Sequence, residues 1–139
     1  MPYPEQFLIP MREDLTKHGV EEARTPADVD KLLAPGNGTV MMVVNSVCGC
    51  AAGRARPAIG MALKHSVRPA KAATVFAGGD EEAVAHLRGI LSEYPPSSPS
   101  IALFKDGKPV YMVHRMDIER REPTEIAKLL TDAFDRFCA

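Results

Sequence analysis

Two thiols separated by a single glycine, Cys48-Gly49-Cys50, are the residues of this chain whose spacing most directly offers chemistry. They follow the apolar run Val40-Met41-Met42-Val43-Val44 and precede a stretch of helical pattern, so the pair lies at a strand-to-helix junction. The first turn of a helix presents unpaired backbone N–H groups and a partial positive charge, which favour thiolate over thiol. A thiolate beside a second thiol supports disulfide exchange, because the ionised sulfur attacks a disulfide through a mixed-disulfide intermediate. Cys48, just ahead of the helix, is expected to be the more accessible sulfur and to attack. Cys50, inside the first turn, is expected to resolve the mixed disulfide. Arg54 and Arg56 in the following turns are candidates to support the thiolate or to meet an anionic thiol, against a plainer reading as solvated helix residues. One intervening residue closes a tight ring, and strain makes a disulfide more oxidising.

The same tripeptide has plainer readings, as a tight turn of small residues or as half of a metal site. Zinc takes four ligands from Cys, His or acidic side chains. His18, His65, His86 and His114 are scattered singly, none beside the pair, so metal is the weaker alternative. Cys138 is set apart, one residue from the end of the sequence and next to the apolar stripe of the last helix. It reads as a semi-buried spare thiol, with an auxiliary resolving or intermolecular role as the alternative.

The elements that must position these sulfurs fit one domain. The chain has 139 residues, 45% of them hydrophobic, enough for a single core. Its net charge of −1, with basic residues dispersed along the sequence, gives no electrostatic footprint for nucleic acid. No apolar run approaches the roughly 20 residues that span a bilayer, so no membrane partner is expected. Met1-Pro2-Tyr3-Pro4-Glu5-Gln6 lacks the basic and apolar regions of a signal peptide, which makes the cytoplasm the expected location. In that compartment three cysteines argue for reactive thiols, metal or inert burial rather than a disulfide scaffold.

Pro10 to Thr16 reads as a short helix stopped by Gly19, and a second helix starts with Thr25 as N-cap and Pro26 at its first position. Thr39–Val44 is a strand covered on both faces. From about Cys50 to Lys64 a helix carries Ala51, Ala52, Ala55, Ile59, Ala62 and Leu63 on one side, with Pro57 expected to kink it. Ala72–Ala77 is a second buried strand, and Asp80 is expected to cap the helix bearing Ala83, Val84, Leu87, Ile90 and Leu91. Ile101–Phe104 and Val110–Val113 form a hairpin around Asp106-Gly107, and Pro109 pushes its second strand to a sheet edge. The last helix, from about Pro123, buries Ile126, Leu129, Leu130, Ala133, Phe134 and Phe137.

The order from Thr39 onward is β-α-β-α-β-β-α. That order predicts an α/β protein of thioredoxin-like fold, a central mixed sheet flanked by helices. With no repeat or linker, residues 1–139 read as one domain with 1–38 as an N-terminal helical extension packed on it. In such folds a cis-proline opens the strand facing the cysteines, and the backbone before it binds an extended substrate. Ser98-Pro99-Ser100 stands at the matching place, so Ser98 and Pro99, with Gly49 between the sulfurs, are the expected substrate-binding residues.

Asn45-Ser46-Val47-Cys48-Gly49-Cys50-Ala51, followed by Ala55-Arg56-Pro57-Ala58, resembles the signature of the bacilliredoxin family. The resemblance extends to Met11–Thr16, Thr74–Gly78, Ser97–Ser100 and Ala133–Asp135 with Cys138, in order along nearly the whole chain. It implies thiol–disulfide oxidoreductase activity that removes bacillithiol from mixed disulfides on cytosolic proteins, and disulfide isomerase activity. It implies no tightly bound cofactor, bacillithiol being the exchanged thiol. Cys48 would accept it with Cys50 as partner, and its malate group would give Arg56 or Arg54 an anion to meet. Arg54 and Glu119-Arg120-Arg121 depart from the family pattern. Two other readings compete: a general disulfide isomerase or weak reductase that never meets bacillithiol, and a non-catalytic thiol- or metal-binding module.

Overall fold

A strand covered on both faces needs an unbroken apolar run, and Val40–Val44 supplies it: all five residues are at most 3% exposed. In the computed structural model, which describes residues 3–139, this run lies within the central strand of a five-stranded sheet. Met1 and Pro2, the start of the segment read for a signal peptide, lie outside the described residues. The elements in order are α1 (Glu5–Thr16), β1 (Glu21–Glu22), α2 (Pro26–Leu32), β2 (Thr39–Asn45), α3 (Arg56–Ala62), β3 (Lys71–Phe76), α4 (Glu81–Ile90), β4 (Ser100–Lys105), β5 (Lys108–Val113), α5 (Arg115–Glu119) and α6 (Pro123–Phe137). The sheet order is β1-β3-β2-β4-β5, with β1 and β2 parallel to β3, and β4 antiparallel to both β2 and β5.

Strand side chains alternate between faces, so β2 feeds two cores. Val40, Met42 and Val44 pack with Val29, Leu32, Ala83 and Leu87 of α2 and α4. Met41 and Val43 pack on the other face with Ile59 of α3 and Leu130 and Phe134 of α6. The hairpin joins β4 to β5 through Asp106 (φ 52°) and Gly107 (φ 80°), the paired positive dihedrals of a two-residue turn. A Cβ on Gly107 would come 2.9 Å from the Leu33 carbonyl oxygen, so this turn also needs glycine for space. Pro109 falls on the edge strand β5, as its missing N–H requires.

The structure departs from the sequence expectations at definite places. α1 begins at Glu5, not Pro10, and carries Pro10 inside it on the exposed face. The leading segment is not purely helical, because Glu21–Glu22 adds a short strand at the sheet edge. Asp80 does not cap α4 with its side chain. It is buried, accepting from the Phe76 N–H at 3.1 Å and from both ends of the Arg12 guanidinium at 2.9 Å. Arg12 also reaches Glu5 (2.9 Å) and Glu22 (3.0 Å), so one buried cation ties α1 to β1 and to the start of α4. In α6, Ala127 is buried while Leu129 and Phe137 are only half-buried.

Candidate active site

β2 ends at Asn45, where the chain must leave the sheet with its backbone polar groups satisfied. Arg56 does this from below. It is 4% exposed, and its Nη1 donates to Asn45 Oδ1 (3.0 Å) and the Ser46 carbonyl (2.9 Å) while Nε meets Asp14 Oδ2 (3.1 Å). The Asn45 amide donates to the Met11 carbonyl (3.2 Å), and Asn45 Oδ1 also takes the Ser46 N–H (2.9 Å). The exit turn is therefore pinned to α1 and α3 before the first cysteine is reached.

The helix then starts in an unusual form. Ala51–Ala55 make a π-helical turn in which the Arg56 N–H bonds the Ala51 carbonyl, five residues back. Pro57 explains it: lacking an N–H, proline cannot bond the residue four back, and the widened turn accommodates its ring. The expected kink is this turn, upstream of Pro57, which sits in the first turn of α3. The extra width rotates the helix face, so Ala52 is exposed and Arg56 is buried.

Cys48, Cys50 and Cys138 are all free and half-buried, and Gly49 is exposed between the pair. Partial burial pushes the Cys48 thiol up, but hydrogen bonds to its sulfur more than offset this and leave it below the ordinary value. Those donors are the Ser46 hydroxyl at 3.4 Å, the backbone N–H groups of Ala51 and Cys50, and the Cys50 thiol. Cys50 is shifted the other way, first by burial and then by the charge on Cys48. The arrangement favours ionisation of Cys48 ahead of Cys50 and leaves the Cys50 thiol placed to donate to it, the pairing disulfide exchange uses.

Opposite stands the Ser98–Pro99 step. Val44 of β2 is in register with Ser100 of β4, so the residues before Ser100 lie against the exit turn that leads to Cys48. The Ser98–Pro99 peptide is cis, Pro99 is buried and Ser98 half-buried. Arg115 fastens this segment: its backbone N–H donates to Ser97 Oγ (3.2 Å) and its Nη1 to the Ser98 carbonyl (3.2 Å). Its guanidinium is held as a cation chiefly by the negative Cys48, and it in turn favours ionisation of Cys50.

The register of β2 with β4 and the Arg115 bond to Ser98 put Cys48, Gly49, Cys50, Ser98 and Pro99 at one end of the sheet. It does not bring Arg54 and Arg56 to the surface of this site. Arg56 lies beneath it, its fork already engaged, though its charge still reaches Cys48. Arg54 points to the start of α6, where Nη1 donates to the Arg121 carbonyl and lies 3.5 Å from Glu122. Ser46 and Arg115 are the residues missed. Ser46 stood two positions from Cys48 and was open to notice, whereas Arg115 arrives only through the return of β5. Cys138 borders Thr39 and Lys105, the opposite end of the sheet from Cys48. His65 and His86 pair with Asp135 (2.8 Å) and Asp30 (2.6 Å) on the outside. Among the described residues no group of three or more His, Cys, Asp or Glu is placed to hold a metal ion.

A mixed sheet of this order, with a dithiol where the central strand meets a helix and a proline facing it, defines a thioredoxin-like thiol–disulfide oxidoreductase. Solved thioredoxins share the fold: that of Halobacterium salinarum superposes with a TM-score of 0.60 over 91% of this chain and 93% of its own, at 16% identity. The thioredoxin of Malassezia sympodialis gives 0.60 over 86% and 91%, at 13% identity. The chain belongs to the disulphide isomerase family, which it matches over residues 3–138, and its type is that of the bacilliredoxins. A bacilliredoxin of Koribacter versatilis is 53% identical over 98% of this chain and 94% of its own length. One from Bacillus licheniformis is 47% identical over 98% and 95%. No helix among the described residues is long and apolar enough to cross a membrane.

Proposed function

We propose that this protein removes bacillithiol from mixed disulfides on cytosolic proteins, with Cys48 as nucleophile and Cys50 as resolving thiol. The observation that carries the reading is the Cys48 sulfur between β2 and the following helix, 3.4 Å from the Ser46 hydroxyl, with hydrogen bonds that favour its thiolate while burial and the Cys48 charge disfavour that of Cys50. The Cys48 thiolate attacks the bacillithiol sulfur. A Cys48–bacillithiol disulfide forms, the old S–S bond breaks, and the client sulfur leaves as a thiolate that takes up a proton. The Cys48 charge, which together with burial disfavoured the Cys50 thiolate, is now gone. Cys50 loses its proton to solvent and attacks Cys48, forming the Cys48–Cys50 disulfide and releasing bacillithiol as thiolate. The two electrons come from the enzyme dithiol, which an external thiol reductant restores.

Arg115, rather than Arg54 or the buried Arg56, is the half-exposed cation whose charge reaches both sulfurs, and although its Nε pairs with Glu119 (3.0 Å) it is suited to the malate carboxylates of the incoming thiol. Intact mass after mixing reduced protein with a bacillithiol mixed disulfide tests the reading. The expected result is an adduct absent in Cys48→Ser and persistent in Cys50→Ser; equal loss of attack in both variants overturns the assignment. Arg115→Gln should slow attack on the bacillithiol disulfide about threefold more than on an uncharged disulfide, and the difference should shrink with salt. An equal effect on both substrates removes Arg115 from recognition.

A further inference from the structure

Behind the proline segment, on the face of the sheet away from α3, lies a cavity of about 200 Å³ that the disulfide chemistry does not use. Val44, Leu91, Tyr94 and Met112 make its walls largely apolar, and Ser97 and Ser100 are among the polar residues that also line it. A cavity of roughly 150 Å³ holds a benzene ring, so there is room here for one large apolar side chain.

Position gives the cavity its meaning. Val44 and Ser100 line it and are register partners at the end of the sheet where the cysteines stand. Ser97 lines it too, and its hydroxyl takes the Arg115 N–H at the edge of the dithiol site. The cavity is thus continuous with the substrate-facing segment Ser97–Pro99. A hydroxyl- and carboxylate-rich small thiol gains little from apolar walls. A polypeptide client reaching Cys48 would pass this mouth with the residues flanking its modified cysteine.

We infer that the cavity is a client subsite, which takes one large apolar side chain flanking the reacting cysteine. The inference rests on the exchange reading above and adds a selectivity for sequence around the modified cysteine. Burial of one such side chain predicts a preference of about tenfold.

Bacillithiol mixed disulfides of short cysteine peptides, with the flanking residue Leu, Phe, Gly or Asp, provide the test, with a bacillithiol–cysteine mixed disulfide run beside them. The full-length wild type should show a Leu:Gly ratio in kcat/KM near ten. Ser92→Trp, at an exposed position lining the cavity, should fill it and bring the ratio towards one. A wild-type ratio near one, or a ratio unmoved by Ser92→Trp, overturns the subsite while exchange on the bacillithiol–cysteine disulfide leaves the main reading standing. Failure of the wild type on every mixed disulfide overturns both.

Discussion

The Ser46 hydroxyl stands 3.4 Å from the Cys48 sulfur, and the backbone that carries it is itself held by the buried Arg56 through the Ser46 carbonyl at 2.9 Å. The donor to the nucleophile is thus fixed in place from the protein interior. A hydrogen bond to an anion is worth more than one to a neutral group, and it acts only on the thiolate form. Ser46 therefore favours ionisation of Cys48.

Alkylation of Cys48 against pH should show this. The rate follows the thiolate fraction, so the wild-type inflection should lie below that of a free thiol, near 8.5. Ser46→Ala removes a contact that lowers the pKa, so its inflection should move up. The rate at pH 6 should fall about three- to tenfold. Above both inflections the order should reverse, because the more basic thiolate is the better nucleophile. Superimposable profiles would show that the hydroxyl does not act on this sulfur.

Arg56 separates a positioning role from a recognition role. Its planar fork meets Asp14, Asn45 and the Ser46 carbonyl together, which a single ammonium cannot do. Arg56→Lys keeps the charge and leaves buried acceptors short of a donor, at a cost of about 1–3 kcal/mol. For a chain of this size that corresponds to a fall in Tm of about 3–10 °C. The Cys48 alkylation profile should move with it, since the turn carrying Ser46 loosens. An unchanged Tm with only a raised KM for bacillithiol disulfides would instead return Arg56 to the surface role its place in the sequence suggested.

What the sequence made legible was local. The apolar run of β2, the Asp106-Gly107 turn, the edge proline and the cysteines at a strand-to-helix junction each carry their signal within a few residues. The cis Ser98–Pro99 step followed from the element order. What stayed hidden depended on partners far along the chain or on a broken period. Glu21–Glu22 has no strand-like composition and is a strand only because β3 lies beside it. The short α5 buries Ile118 alone, too little to show a period. An even helical repeat placed Ala52 on the buried side, and the π-helical turn before Pro57 put Arg56 there instead. Asp80 looked like a cap because nothing nearby in the sequence announced Arg12.

Cys138 provides the remaining prediction. Its thiol is pushed up by burial, with Thr39 and Lys105 pulling weakly the other way, so it is a poor nucleophile near neutral pH. Thr39 opens β2 and Asn45 closes it, six residues apart at about 3.3 Å per residue, which puts roughly 20 Å between the two ends. A disulfide needs Cα atoms within about 7 Å, so Cys138 cannot bridge to Cys48 or Cys50 in the folded monomer. Mild oxidation followed by peptide mapping should give a Cys48–Cys50 link and leave Cys138 alkylatable. Cys138→Ser should exchange disulfides within about twofold of the wild type. A mapped Cys48–Cys138 link within one chain would mean that the two ends of the sheet come together in solution, which this packing forbids.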